Sequence, residues 1–314
     1  MSPHFARRTP TSRQGLLYLA PFVVLFLIFG LFPLLYSGYV SLTNASLNNP
    51  SAATGVGLAN YSKLLGDAYF WNAVRNTFTL GFLAIGPQLV FALLIANLLN
   101  YRLKHALFWR VAILIPYATS VAAAALIFGR LYSENYGLVN NLLLRFGLTP
   151  INWQSGSFWS QFAIASIVTW RWTGYNALIY LASMQAIPAD LYEAAEIDGS
   201  NKLGQFFHVT LPGVRGTVLF TVVISTIGAM QLFVEPLLYE GGPTGMQGGL
   251  ARQYQTLSLY MYQQGWTYNH LGYGSAIAFT TLILIVVVLA FGFLINRVSR
   301  LAVRVGTSRG GFGA

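Results

Sequence analysis

The chain has 314 residues, 55% of them hydrophobic and only 8% charged, with a mean hydropathy of +0.56. So little charge cannot cover a soluble globular surface, and the chain reads as an all-α integral membrane protein. The absence of cysteine excludes a disulfide framework and thiolate metal sites, and four histidines without paired-ligand spacing give no metal site.

Crossing a bilayer core takes roughly 20 apolar residues. Six such runs occur in order: about Leu16 to Val40, Thr79 to Leu99, Leu107 to Leu131, Phe158 to Ala186, Val214 to Leu237 and Tyr273 to Ile295. The first is longer than a signal-peptide apolar region and lacks a small-residue cleavage site, so it is expected to be retained. The expected organisation is an N-terminus over residues 1–15, a six-span domain over 16–296 and a mobile basic tail over 297–314. Thr43 to Gly57, Tyr132 to Gly156 and Glu240 to Gly249 are punctuated as loops. No internal repeat is apparent.

Orientation follows from the basic residues. Arg7, Arg8, Arg13, Arg102, Lys104, Arg110, Lys202, Arg215, Arg297, Arg300, Arg304 and Arg309 fall on one side. Lys63, Arg75, Arg145 and Arg252 fall on the other, with Arg130 at a helix edge. This bias in short connections places both termini in the cytoplasm. The net charge of +10 is then mostly a topology signal, and no basic patch interleaved with aromatics points to nucleic acid.

The connection between the fourth and fifth spans is charged and amphipathic. Pro188 suits a first helical turn and Asp190 favours the positive end of the helix dipole. Asp190, Glu193 and Glu196 form an acidic edge, while Leu191, Ala194 and Ala195 form a small apolar face. Gly199 permits the left-handed turn that ends the helix. A second short helix carries Leu203, Phe206 and Phe207 on one face until Pro212 stops it.

The stretch EAAEIDGSNKLGQFFHVTLP, Glu193 to Pro212, resembles the coupling segment of permease subunits of ATP-binding-cassette importers. Glu193, Ala194, Ala195, Asp198, Gly199, Phe206, Leu211 and Pro212 match that pattern; Gly216 stands where a proline is frequent. NYSKLLGDAYFWNAVRNTF, ILIPYATS, AIPADLYEAAEIDG, MQLFVEPLLYEGGP and LGYGSAIAF extend the likeness over nearly the whole chain, to carbohydrate importer permeases of the maltose type. Within that group the chain looks like the first of two paired permeases, for disaccharides or oligosaccharides. Val234 stands where an aspartate is common, and the larger external domain of the maltose example is absent.

The resemblance implies a type I importer permease fold of six spans in a bacterial or archaeal cell membrane. The coupling loop over 188–212 would meet two cytoplasmic ATPase subunits. Further implied partners are a second homologous permease, an extracytoplasmic sugar-binding protein, the carbohydrate and membrane lipid. The chain binds no cofactor of its own; ATP and Mg serve the partner ATPases, consistent with the lack of a GxxxxGK[ST] loop. No catalytic constellation is present, so no enzyme activity is expected. Alternating access is the implied mechanism.

Polar residues within a membrane are costly and tend to face a cavity or another helix. Arg171, mid-way along the fourth span, costs roughly 2.5 to 3.5 kcal/mol on insertion scales. Val168, Arg171, Trp172 and Tyr175 share a helical stripe that opens the arginine onto aromatics. By resemblance this stripe occupies the sugar-site positions. The fifth span offers Ser225, Gly228, Gln231 and Glu235, where Gly228 gives clearance or close helix packing and Gln231 gives both donor and acceptor. Arg171 lies on the order of 20 Å below the outer end of its span at 1.5 Å per residue, and Glu235 lies near that end, so the two are not expected to pair unless a helix is broken. Arg171 leaves open an anionic cargo such as a glycerol phosphate, beside a polyol. An ion-coupled secondary carrier would need intramembrane acids, and the spans hold none besides Glu235.

Overall fold

A computed structural model describes residues 12–49, 52–101 and 103–309, with side chains described between residues 17 and 294 except at 50, 51 and 102. Arg7, Arg8 and the last residues of the expected mobile tail lie outside the described residues. In chain order the helices are α1 (Ser12–Phe26), α2 (Phe32–Ser41), α3 (Ala59–Leu65), α4 (Ala68–Asn100), α5 (Ala106–Ala118), α6 (Val121–Leu131) and α7 (Leu138–Arg145). They continue as α8 (Ser157–Gln185), α9 (Ala189–Ile197), α10 (Lys202–Gln205), α11 (Leu211–Met230), α12 (Val234–Glu240), α13 (Gly242–Gln247), α14 (Leu257–Tyr262) and α15 (Leu271–Arg309). Among the described residues the only β feature is a single bridge between Thr43 and Gly55.

Four stretches are long and apolar enough to cross a bilayer: Leu17–Ser41, Ala68–Asn100, Lys202–Met230 and Leu271–Leu294. The pair α5 and α6 makes a fifth if its 87° bend is counted within one span. α8 has 29 residues, long enough to cross at 1.5 Å per residue, but Arg171, Asn176 and several hydroxyls dilute its apolar character. Six spans are therefore reached only by counting α8 on length. Within the loops expected from punctuation, Leu138–Arg145 and Gly242–Gln247 are short helices. The last helix runs on through Arg309.

Three boundaries depart from the sequence expectation, each within a few residues of a proline. The third span is not one helix: it breaks between α5 and α6, where Thr119 and Ser120 are extended after Pro116. The fifth does not run unbroken to Leu237, because Pro236 has no N–H for the carbonyl four residues back. That carbonyl, on Leu232, instead accepts the Thr256 hydroxyl at 2.6 Å, and Gln231 to Phe233 leave the helix. Pro212, expected to stop a helix, does not. A wide π turn over Phe206–Thr210 absorbs it, and Lys202–Met230 is continuous.

α4 and α8 form the central pair of the bundle. One core joins them to α6 and α12 through Leu80, Ala124, Ile164, Val168, Leu232 and Tyr239. A second, toward the α9–α10 hairpin, joins them to α11 through Leu89, Ala96, Tyr180, Met184 and Val214. At the far end buried amides fasten the loop before α14: Asn76 Nδ2 donates to the Arg252 carbonyl at 2.8 Å, and Gln161 Nε2 donates to the Gln253 carbonyl at 2.6 Å. Asp67 caps α4 by accepting from the Tyr69 N–H and also accepts the Tyr260 and Tyr273 hydroxyls, tying α4 to α14 and α15. Burial works to raise the Asp67 carboxyl, and these hydroxyl and backbone hydrogen bonds outweigh it, so its pKa is lowered.

Candidate functional site

The hairpin between α8 and α11 forms as its residues dictate. Pro188 is the N-cap residue of α9 rather than part of its first turn, and Asp190 sits in that turn. Gly199 adopts φ +81°, and the Ser200 N–H reaches back to the Ala195 carbonyl at 2.9 Å, a Schellman closure. Asn201 then caps α10 by accepting from the Gly204 N–H at 2.8 Å. The Tyr192 and Thr210 hydroxyls, 2.9 Å apart, hold α9 against the base. Asp190, Glu193, Glu196 and Asp198 are all exposed, as are Leu191, Ile197 and Phe207. Glu196 and Lys202 lie 3.8 Å apart but both are solvated, so the pair adds little. The tip is thus acidic and apolar at once, unusual for a surface with no protein partner.

At the level of the helix breaks lies a cavity of about 310 Å³ between α4, α8, α11 and α12. Arg171, Trp172, Gly228, Gln231 and Glu235 line it, five of the six residues singled out for a substrate path. A Cβ on Gly228 would meet nothing within 4 Å, so this glycine leaves space and does not seat a neighbouring helix. Tyr175 is the sixth, and it does not line this cavity. Its ring stacks on Tyr117 of α5 at 4.6 Å between centroids, and Trp172 meets the same ring edge-on at 5.2 Å.

Arg171 and Glu235 do pair, contrary to the expectation from helix geometry. Nη1 lies 3.3 Å from Glu235 Oε1, and both side chains are largely buried, with 12% and 7% of their surface exposed. The α11–α12 break supplies the reason: after Gln231 the chain leaves the helix axis, and Glu235 returns in the first turn of α12 at the depth of Arg171. The second guanidinium nitrogen, Nη2, donates to the Thr119 carbonyl at 3.4 Å, at the other break.

Gln88 was not among the residues expected here. It is 2% exposed, lines the cavity from α4 and donates to Ser225 Oγ at 3.1 Å. An amide beside Pro87 in an apolar span was the available signal, by the cost of burying it. Ser225 continues a hydroxyl ladder down α11. Thr221 bonds the Tyr180 hydroxyl and Thr217 donates to Ser183 at 2.9 Å, both partners on α8.

A helical bundle whose breaks enclose a mainly apolar cavity holding an ion pair and two amides, with an exposed hairpin at one end, defines a polytopic membrane component. The family described as binding-protein-dependent transport system inner membrane component matches residues 15–304, and the chain belongs to it. The chain is 36% identical over 275 residues to the arabinooligosaccharides transport system permease protein AraP of Bacillus subtilis, covering 87% of this chain and 85% of that one. It is 36% identical over 283 residues to the lactose transport system permease protein LacF of Rhizobium radiobacter, covering 88% and 92%. With the trehalose/maltose transport system permease protein MalF of Thermococcus litoralis it shares 32% over 290 residues, covering 92% and 94%. A chain from the crystal structure of a bacterial ABC transporter involved in import of the acidic polysaccharide alginate superposes with a TM-score of 0.75 over 91% of this chain and 96% of that one; at 23% identity the likeness is one of fold.

Proposed function

We propose that this chain is a permease subunit of an ATP-driven carbohydrate importer, with a disaccharide or oligosaccharide passing the cavity at the helix breaks. The observation that carries the reading is that one hairpin, acidic and apolar at its tip, directly joins α8 and α11, the helices that wall the cavity. A partner gripping that hairpin moves the walls. The relatives named for arabinooligosaccharides, lactose and trehalose/maltose support a glycan cargo. Trp172 supplies an aromatic face and Gln231 and Gln88 supply amides, the groups that suit C–H faces and hydroxyls of a sugar. Glu235 neutralises Arg171, so the arginine gives no preference for a phosphorylated cargo. The same pairing occupies the one acid an ion-coupled carrier would use.

In this reading the hairpin end is cytoplasmic and meets ATPase subunits, a second permease completes the path, and an extracytoplasmic binding protein delivers sugar. The test is reconstitution of the complete transporter in liposomes. ATP-dependent uptake of labelled oligosaccharides, with Lys202→Cys labelled only from the ATPase side, is the expected result. Absence of uptake for every neutral and acidic glycan tried, or labelling of residue 202 from the binding-protein side, would overturn it.

A further inference from the structure

α8 passes both helix breaks without interruption, and Arg171 is the residue it places between them. On one side the guanidinium reaches the Thr119 carbonyl, turned out of the helix by the extended backbone of Thr119 (φ −70°, ψ 141°). On the other it reaches Glu235, in the first turn of α12. One side chain thus spans the junctions of two broken helices.

The segments on either side of that level are fastened differently. Toward the hairpin, α5 and α11 are locked to α8. Gly174 sits so close to the Ile113 carbonyl that no Cβ fits between them, and the Tyr180–Thr221 and Ser183–Thr217 pairs bind α11. Beyond the breaks, α6 and α12 are locked to each other: a Cβ on Gly129 would strike the Tyr239 carbonyl. The two groups meet at Thr119–Ser120 and at Gln231–Phe233, where the regular α-helical ladder gives way to isolated turn bonds, such as that from the Leu232 N–H to the Ala229 carbonyl, which resist bending less.

Resting on the transport reading above, we propose that Arg171 is a positioning residue that ties both breaks to α8, so that α6 and α12 swing as one unit when the cavity opens and closes. The tie is built to change. Both bonds are single and long, at 3.3 and 3.4 Å, and Nε is buried without an acceptor. A swing of α12 that carries the carboxylate from Nη1 to the Nε–Nη2 edge of the guanidinium would satisfy it. Closed and open arrangements then differ in how Arg171 is bonded, while α6 and α12 keep their mutual packing.

The experiment uses the complete transporter in liposomes or nanodiscs, with Arg171→Gln and Glu235→Gln. The sequence has no cysteine, so spin labels go without background on the exposed positions Phe158→Cys in α8 and Ile127→Cys in α6. The parental pair is expected to give one narrow distance distribution without nucleotide and a second, shifted one with trapped ATP, and either Gln variant is expected to broaden both. Sugar taken up per ATP hydrolysed should fall on the order of tenfold, the usual size of a coupling between sites, while the sugar concentration at half-maximal uptake changes little. A parental distribution and parental coupling in the variants would overturn the proposal, as would a loss confined to sugar affinity, which would make Arg171 a ligand contact. Should Arg171→Gln fail to assemble, Glu235→Gln, which keeps the side-chain size, is read by the same criteria. Failure of the parental complex to transport would instead strike the transport reading itself.

Discussion

Gly174 of α8 and Ile113 of α5 meet so closely that the glycine hydrogen occupies the only room left against the isoleucine carbonyl. This contact sets the spacing of two spans just below the cavity. Gly174→Ala is expected to force them apart and to destabilise the subunit by roughly 1 to 3 kcal/mol, the usual cost of overpacking. Thermal unfolding in detergent checks this, and an unchanged midpoint would mean that α5 does not pack here. The contrast is Gly228→Ala, where a methyl group meets only open space and stability should hold.

The hairpin carries a second prediction. Gly199 holds φ +81°, a conformation that costs an L side chain about 1 kcal/mol or more. Gly199→Asp should therefore weaken both the turn and the docking surface, and Glu193→Lys should reverse the charge of an exposed edge without touching the fold. Co-purification of the ATPase subunits is expected to fall for both variants. Undiminished co-purification together with parental substrate-stimulated ATPase would remove this hairpin from the coupling role.

For the cavity, alanine at Trp172, Gln231 or Gln88 is expected to weaken sugar transport while leaving ATPase docking intact, since the hairpin lies at the far end of α8 and α11. Loss of one hydrogen-bonding partner should cost roughly 1 to 3 kcal/mol of transport efficiency. Tyr175→Ala should act differently, through the Tyr117 stack and hence through stability, because its ring is turned from the cavity. Parental sugar uptake in all three cavity variants would place the path elsewhere.

A pH dependence follows from Asp67. Its carboxyl is more acidic folded than unfolded, so its contribution is complete above the ordinary carboxylate range near 3.8 and is lost as pH falls through the lower folded value. Asp67→Asn should lower the unfolding midpoint at neutral pH and flatten the fall that the parent shows in acid. Equal midpoints for parent and variant at pH 7 would mean that the two tyrosine hydroxyls are held equally well by the amide.

Much of this architecture is legible in composition and local chemistry. Apolar length marks the spans, and Gly199 with its flanking acids marks the hairpin, because both signals are short-range. The pairing of Arg171 with Glu235 was hidden by treating the fifth run as one helix, since on an unbroken rise the two charges fall at different depths. Pro236 held the correction: it leaves the Leu232 carbonyl without a helical donor, and Thr256, distant in sequence, supplies one. Gln88 was missed for a related reason. A lone amide in an apolar run gives no periodic signal, and its partner Ser225 lies on another helix.

The π turn at Phe206–Thr210 has a mechanical meaning. Had Pro212 ended the helix, the hairpin would hang from the bundle by a joint, and a push on it would be spent in bending that joint. Because Lys202–Met230 is one 29-residue helix, it acts as a connecting rod of about 43 Å at 1.5 Å per residue. In the transport reading a displacement at the hairpin is carried along this one helix to Ile224, Ser225 and Gly228, where the rod itself becomes the cavity wall.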